Sequence, residues 1–346
     1  MKKTQATIFQ GLVCFLCAIQ SAAATDLSRG KSNMSDTSIC NLDRIYNVDF
    51  TYSLPRPGLA SFLSGKAFDN KEEYSAEELA RLHEDIAQIY QSVMTSDVSK
   101  ELIAAMTAGA PGAGKTTLME QDLAKNLLEG KKYGYIDPDA VCLKNQTRTY
   151  KVDVENNPSI GGRLAAYNKW RPASNAANHI ILANLIREKC GFYYGMTSTS
   201  PFTGKFFEFL KMQGYRIRLM HVSASDEVRF ESIQERDKTF LQATKEDVRE
   251  KGLLLPQRIN DTFIKYADTI EFYWRDGVKE EAKLAATWIR NVDQSEKLGT
   301  LKVMDENLYE KIKATHAKAV EVLQRQSDLD WKRSVEDKSN LILSRN

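Results

Sequence analysis

The chain has 346 residues, 42% of them hydrophobic and 27% charged, with 48 Lys and Arg against 46 Asp and Glu. That near-balance excludes a protein whose affinity rests on a polyanion, because strong nucleic-acid binding needs a basic surface excess. Length and apolar content suffice for a sizeable core, in two domains or in one domain with appended helices.

Residues 1–24 read as a secretory signal peptide. Lys2 and Lys3 precede an apolar run from Ala6 to Ile19, and Ser21-Ala22-Ala23-Ala24 follows as a small-residue cleavage pattern. The run is too short for a bilayer-spanning helix of about 20 residues, and no later stretch approaches that length, so the sequence reads as exported and not as an integral membrane protein. The leader carries two lysines and no acid, leaving 46 basic against 46 acidic side chains in the remainder. Of the five cysteines Cys14 and Cys17 lie in the leader, and Cys40, Cys142 and Cys190 are too few for a stapled scaffold and lack C-x-x-C spacing.

Pro55, Pro57, Gly58 and Gly65 interrupt any period between residues 25 and 74, which read as a loosely structured N-terminal segment. Ser75 and Glu78 form a capping box before a helix over 76–94, with Leu79, Leu82, Ile86 and Ile89 on one stripe. A short apolar strand over 102–108 then runs into a glycine-rich turn, and a helix over 118–128 closes at Gly130. Further strands are predicted at 133–136, 192–196, 217–222 and 269–274, separated by helices at 174–188, 206–212 and 226–236. Strands alternating with helices mean parallel β-α-β units. The expected class is α/β: a P-loop kinase-like parallel sheet flanked by helices over 75–277. Beyond Gly277 the pattern predicts only helices, at 280–289 and 305–323, as a C-terminal helical extension over 278–346.

Gly109-Ala110-Pro111-Gly112-Ala113-Gly114-Lys115-Thr116 matches G-x-x-x-x-G-K-[ST] between a predicted strand and helix, with Thr117 following. Glycines let consecutive backbone N–H groups turn around phosphate oxygens, and the helix start adds its dipole. Lys115 would reach the β- and γ-phosphates, and the Thr116 hydroxyl would be a Mg²⁺ ligand. The loop therefore predicts ATP or GTP with Mg²⁺. No N-K-x-D motif marks a GTPase. Asp137-Pro138-Asp139 closes the next strand, at the sheet edge where α/β ligands bind. The pair reads equally as a turn cap or as the base that accepts a proton from an attacking hydroxyl.

GAPGAGKTT, then YIDPDAV, RPASN, YYGMTSTS and KMQGYRIRLMHVSASDEVRFESIQER together resemble the zeta toxin family of P-loop kinases, over roughly residues 94–277. The resemblance implies transfer of a γ-phosphate to a hydroxyl of a nucleotide-linked small molecule, such as a UDP-N-acetylhexosamine or, in an effector branch, NAD. It implies catalytic roles for Lys115, Asp139 and Arg236, with Asp137 and Thr197 at the substrate. It also allows an antitoxin protein as partner. Two departures stand out: Gly195 replaces a family glutamate, and the second lid arginine is missing, with Lys238 or Arg249 as its nearest substitutes.

Ser174 is expected as the N-cap of a helix, either in that role alone or also as a substrate contact. Phe192, Tyr193 and Tyr194 are expected as a buried strand rather than a stacking platform, Phe272, Tyr273 and Trp274 in the core or along the adenine side of a nucleotide pocket, and His316 on a solvated helix face. Two other readings stay open: a nucleotide-switched ATPase without an acceptor, and a catalytically inactive interaction module.

Overall fold

The computed structural model describes residues 45–46, 74–238, 251–291 and 298–343, with side chains to residue 327. All belong to the second of two units, Asp43–Asn346, the first being Met1–Leu42. The leader, Cys40, most of the N-terminal segment and the lid candidate Arg249 lie outside the described residues.

Seven strands form one sheet in the order β2-β3-β1-β4-β5-β6-β7. They are β1 (Ile103–Ala108), β2 (Gly134–Ile136), β3 (Phe192–Tyr194), β4 (Arg216–Ala224), β5 (Thr269–Arg275), β6 (Lys283–Arg290) and β7 (Gly299–Val303). The first five are parallel, and β6 and β7 are antiparallel. β1 lies between β3 and β4, so both its edges are paired, and Ala104, Ala105 and Met106 are fully buried.

α1 (Ala76–Val93) opens with the expected capping box: Ser75 Oγ accepts from Glu78 N, and Glu78 Oε2 accepts from Ser75 N. It buries Leu82, Ile86 and Ile89. α2 (Lys115–Leu128) follows the glycine-rich loop and is tied to the sheet by Arg218 on β4, which donates to Asp122 on α2 at 2.5 Å and to Glu271 on β5 at 2.9 Å. After β2 come a π-helical turn, Pro138–Leu143, α3 (Tyr150–Asn156) and α4 (Ile160–Arg187). α5 (Thr203–Met212) precedes β4, and α6 (Asp226–Asp237) follows it. A broken helical stretch over 255–266 leads into β5, and α7 (Glu306–Leu343) ends the described chain.

Two expectations are corrected. The helix predicted over 280–289 is strand β6, and β7 follows it, so the region after Gly277 extends the sheet before α7 begins. The free edge of β5 needs partners for its backbone groups, and Thr287, Trp288 and Ile289 suit a pleated strand better than the helix formers Glu280 and Glu281, which fall in the turn. The helix predicted from Ser174 begins instead at Ser159, whose Oγ accepts from Gly162 N. Pro172 stands inside this 28-residue helix. An interior proline costs about 3 kcal/mol, offset here by the packing of the helix's buried second half, which includes Ala173, Ala177, Ile181 and Leu185. The described cysteines Cys142 and Cys190 are free and buried.

Candidate active site

β1 ends at Ala108, and the loop that follows turns tightly before α2. Gly109, Gly112 and Gly114 have φ of 146°, 80° and 98°, in the left-handed region. At Gly112 both conformation and space demand glycine, because a Cβ would lie 2.4 Å from the Arg229 carbonyl oxygen. Lys115 Nζ donates to Ala110 O at 2.9 Å. Burial lowers its ammonium pKa to about 7. Asp137 opposes that shift, and Arg229, Arg236 and Lys251 add to it. Within the loop Ala110 and Ala113 are buried, whereas Pro111, Gly112, Gly114, Lys115, Thr116 and Thr117 face a cavity of about 720 Å³.

The opposite wall comes from the end of β2. Asp137 Oδ1 accepts from Asp139 N at 2.8 Å and from Ala140 N at 2.7 Å, capping the π-helical turn. Burial and the neighbouring Asp139 push the Asp137 carboxyl above its ordinary pKa. Asp139 reaches Arg171 Nε on α4 at 2.5 Å, and both residues face the cavity. Ser174 does not line the cavity. It sits inside α4, fully buried, and its hydroxyl donates to Pro138 O, so it fastens the aspartate turn to the helix in place of capping one.

Thr197 lies in the loop after β3. Its carbonyl accepts from Gly109 N at 3.2 Å, its hydroxyl is 3.0 Å from that of Thr199, and it faces the cavity. Arg236, near the end of α6, also faces the cavity and lies 3.4 Å from Asp237. Lys238 is exposed and paired with Glu235 at 2.5 Å. The structure thus gathers Lys115, Thr116, Asp137, Asp139, Thr197 and Arg236 around one space at the carboxyl edge of the parallel strands.

No family model and no curated protein sequence matches the chain. Among solved structures, it is similar to a chain of the AvrRxo1-ORF1:AvrRxo1-ORF2 complex with sulphate ions. The TM-score is 0.51 at 16% identity, covering 78% of this chain and 81% of that one. The native form of that complex gives 0.50 with the same identity and coverage. A structure of the PezAT chromosomal toxin-antitoxin system of Streptococcus pneumoniae gives 0.44 at 14% identity, covering 72% of this chain and 98% of that one. The chain shares that α/β fold, with a phosphate-loop motif between its first parallel strand and the helix that follows.

Within that fold, further residues that the sequence reading gave no role meet at the site. Arg171, in the RPASN stretch, reaches the aspartate turn from mid-helix. Arg275, at the end of β5, and Lys251 also face the cavity. Arg229 Nε donates to Pro111 O at 3.3 Å from α6. Phe272 and Trp274 are buried and do not line the cavity; Phe272 packs against Tyr309 and His221. Among the described residues no group of three or more His, Cys, Asp or Glu could hold a metal by itself. Mg²⁺ bound with nucleotide needs only one or two protein ligands beside phosphate oxygens, which Thr116 and the two aspartates fit.

Proposed function

We propose that the protein is a P-loop kinase that transfers the γ-phosphate of ATP or GTP to a hydroxyl of a nucleotide-linked small molecule of the UDP-N-acetylglucosamine or NAD kind. The observation that carries this reading is a phosphate loop and an aspartate pair facing each other across one cavity ringed by Lys115, Arg171, Arg236 and Lys251. That ring suits a triphosphate, and the carboxylates opposite suit a hydroxyl acceptor.

In this reading the loop amides and Lys115 hold the β- and γ-phosphates. Thr116 would hold Mg²⁺, which when bound would supply charge neutralisation at the phosphates. Asp137 and Thr197 orient the acceptor. Asp139 accepts the hydroxyl proton as the oxygen attacks the γ-phosphorus. The bond to the bridging oxygen breaks, the nucleoside diphosphate leaves, and Arg236 balances charge on the moving phosphoryl group. The site residues are therefore Gly109 to Thr117, Asp137, Asp139, Thr197 and Arg236, without Ser174.

The proposal extends to a toxin or exported effector acting in the cytosol of another cell, where ATP is present, with an antitoxin-like protein as its partner. The leader-like residues 1–24 and the family resemblance support that extension. No helix of the described residues is long and apolar enough to cross a membrane.

Incubation of the protein with γ-labelled ATP, Mg²⁺ and a metabolite extract tests the central claim. Label is expected in a new phosphorylated metabolite. Label appearing only as free phosphate would replace the kinase reading with an ATPase, and no nucleotide binding at all would leave an interaction module.

A further inference from the structure

The arginines around the phosphate loop differ in how their charge is balanced. Arg229 pairs with Asp226 at 2.7 Å, Arg171 with Asp139 at 2.5 Å, and Arg218 with Asp122 and Glu271. Arg275 has no carboxylate partner among the described residues. Its Nη2 donates to Gly112 O at 2.5 Å and to the Ser232 hydroxyl, and its Nη1 donates to Val278 O at 3.3 Å. All three acceptors are neutral. Its Nε is buried without a hydrogen-bond partner, and the residue is only 7% exposed.

A cation held this way is costly, because burial removes water and none of the described residues replaces it with negative charge. Burial accordingly lowers the Arg275 pKa. The position is specific as well. A Cβ at Gly114 would lie 3.1 Å from Arg275 Cδ and 3.2 Å from its Nε, so the side chain lies against the loop residue that precedes Lys115. Arg275 also faces the cavity. The uncompensated charge and the phosphate loop share one place.

We infer that Arg275 is a further phosphate-recognising residue of the site, whose charge is balanced by the phosphates of the bound nucleotide. This rests on the kinase reading above. It also accounts for the end of β5 turning a cation onto the loop, where an apolar residue would have sealed the strand without an electrostatic cost. Arg275 holds the Gly112 carbonyl through its Nη2. With nucleotide bound, it adds a positive charge that none of its own neighbours cancels.

The test uses Mg²⁺·ADP as probe and measures its dissociation constant by calorimetry for the wild type, Arg275→Gln and Arg275→Lys. The Gln variant keeps a neutral donor, and the Lys variant keeps the charge. Expected are a loss of affinity of about tenfold or more for Gln and a value within about threefold of the wild type for Lys. Empty Arg275→Gln should melt close to the wild type or above it, since an unbalanced buried charge has gone. Unchanged ADP affinity in folded Arg275→Gln would overturn the inference, as would a Lys variant as weak as the Gln variant. So would failure of the empty Gln variant to fold, which would make Arg275 a structural prop. If the wild type itself bound neither ADP nor ATP, the nucleotide reading would fall first, a result distinct from all of these.

Discussion

The carboxylate of Asp137 occupies the space that a side chain at Gly195 would need. A Cβ at Gly195 would lie 2.0 Å from Asp137 Oδ2 and 2.8 Å from its Cγ. Strand register produces the encounter: Ile136 pairs with Tyr194, so the next residues of β2 and β3 stand side by side, and Tyr194 pairs in turn with Met106 of β1. The glycine that departs from the family pattern is thus the notch into which Asp137 leans, one strand closer to the phosphate loop.

Gly195→Ala is expected to push Asp137 aside and break its bonds from Asp139 N and Ala140 N. Loss of that cap should destabilise the protein by about 1–3 kcal/mol, read as a shift in urea midpoint. Phosphoryl transfer should fall by about tenfold or more while Mg²⁺·ADP still binds, because the loop itself is untouched. Wild-type stability and turnover in the alanine variant would mean that Asp137 has room to move and that its placement is unimportant.

Asp139→Asn keeps the shape of the side chain and removes its ability to take a proton. Nucleotide binding should persist, and label transfer to the acceptor should drop by about 10²- to 10⁴-fold. The ion pair with Arg171 is lost too, so melting temperature must be measured alongside. Full turnover in a folded Asn variant would remove Asp139 from the base role.

Lys115 yields a pH signature. Burial lowers its pKa to about 7 in the empty protein, and bound phosphates favour the charged ammonium. At pH 8 the lysine is largely neutral, so nucleotide binding should take up a proton; at pH 6 it is already charged, and uptake should vanish. Affinity should therefore weaken as pH rises through 7. Calorimetry of Mg²⁺·ADP in two buffers of different ionisation enthalpy reads the uptake directly. Equal uptake at both pH values would exclude Lys115 as its source.

The phosphate loop and the parallel strands around it were legible in the sequence, because the motif fixes backbone conformation and the buried strands are short apolar runs bounded by turns. The capping box at Ser75 was legible for the same local reason. β6 and β7 were not: Glu280 and Glu281 favour a helix, and the strand-forming Thr287, Trp288 and Ile289 become decisive only beside the unpaired edge of β5, which lies elsewhere in the chain. The start of α4 was misplaced because Pro172 reads as a helix boundary. Of the site, the phosphate loop, the aspartate pair, Thr197 and Arg236 were found, whereas Arg171 and Arg229, though inside stretches that carry the resemblance, had no role assigned and with Arg275 come from three separate elements that meet only in the fold. The meaning of Gly195 was hidden too, since an absent side chain says nothing about the neighbour that fills its place.

His316 belongs to the same class of non-local contacts and gives a stability prediction. It was expected on a solvated face of α7, yet its Nε2 lies 3.1 Å from Nε2 of His221 on β4, which is also 3.1 Å from the Ser223 hydroxyl. Burial pushes His221 well below the usual imidazole range, with His316 and Lys115 adding to the shift, and burial lowers His316 to about 4. Both rings are therefore neutral in the folded protein at pH 7, with a single shared hydrogen bond between them. In the unfolded chain they titrate near 6.5, so between about pH 6.5 and 4 the unfolded state holds more protons, and stability falls as pH falls. Each ring contributes a slope of about 1.4 kcal/mol per pH unit inside that window and nothing above it. His316→Gln keeps a hydrogen-bonding partner for His221 without a titrating ring. Its urea midpoint should fall less steeply than that of the wild type between pH 6.5 and 5, while the two proteins stay parallel from pH 7 to 8. Because Val222 O packs where a Cβ of Gly109 would be, 2.4 Å away, loosening α7 from β4 should reach the phosphate loop. Mg²⁺·ADP should then slow acid unfolding of the wild type. Identical pH slopes in wild type and His316→Gln would show that the two rings are not the groups that titrate.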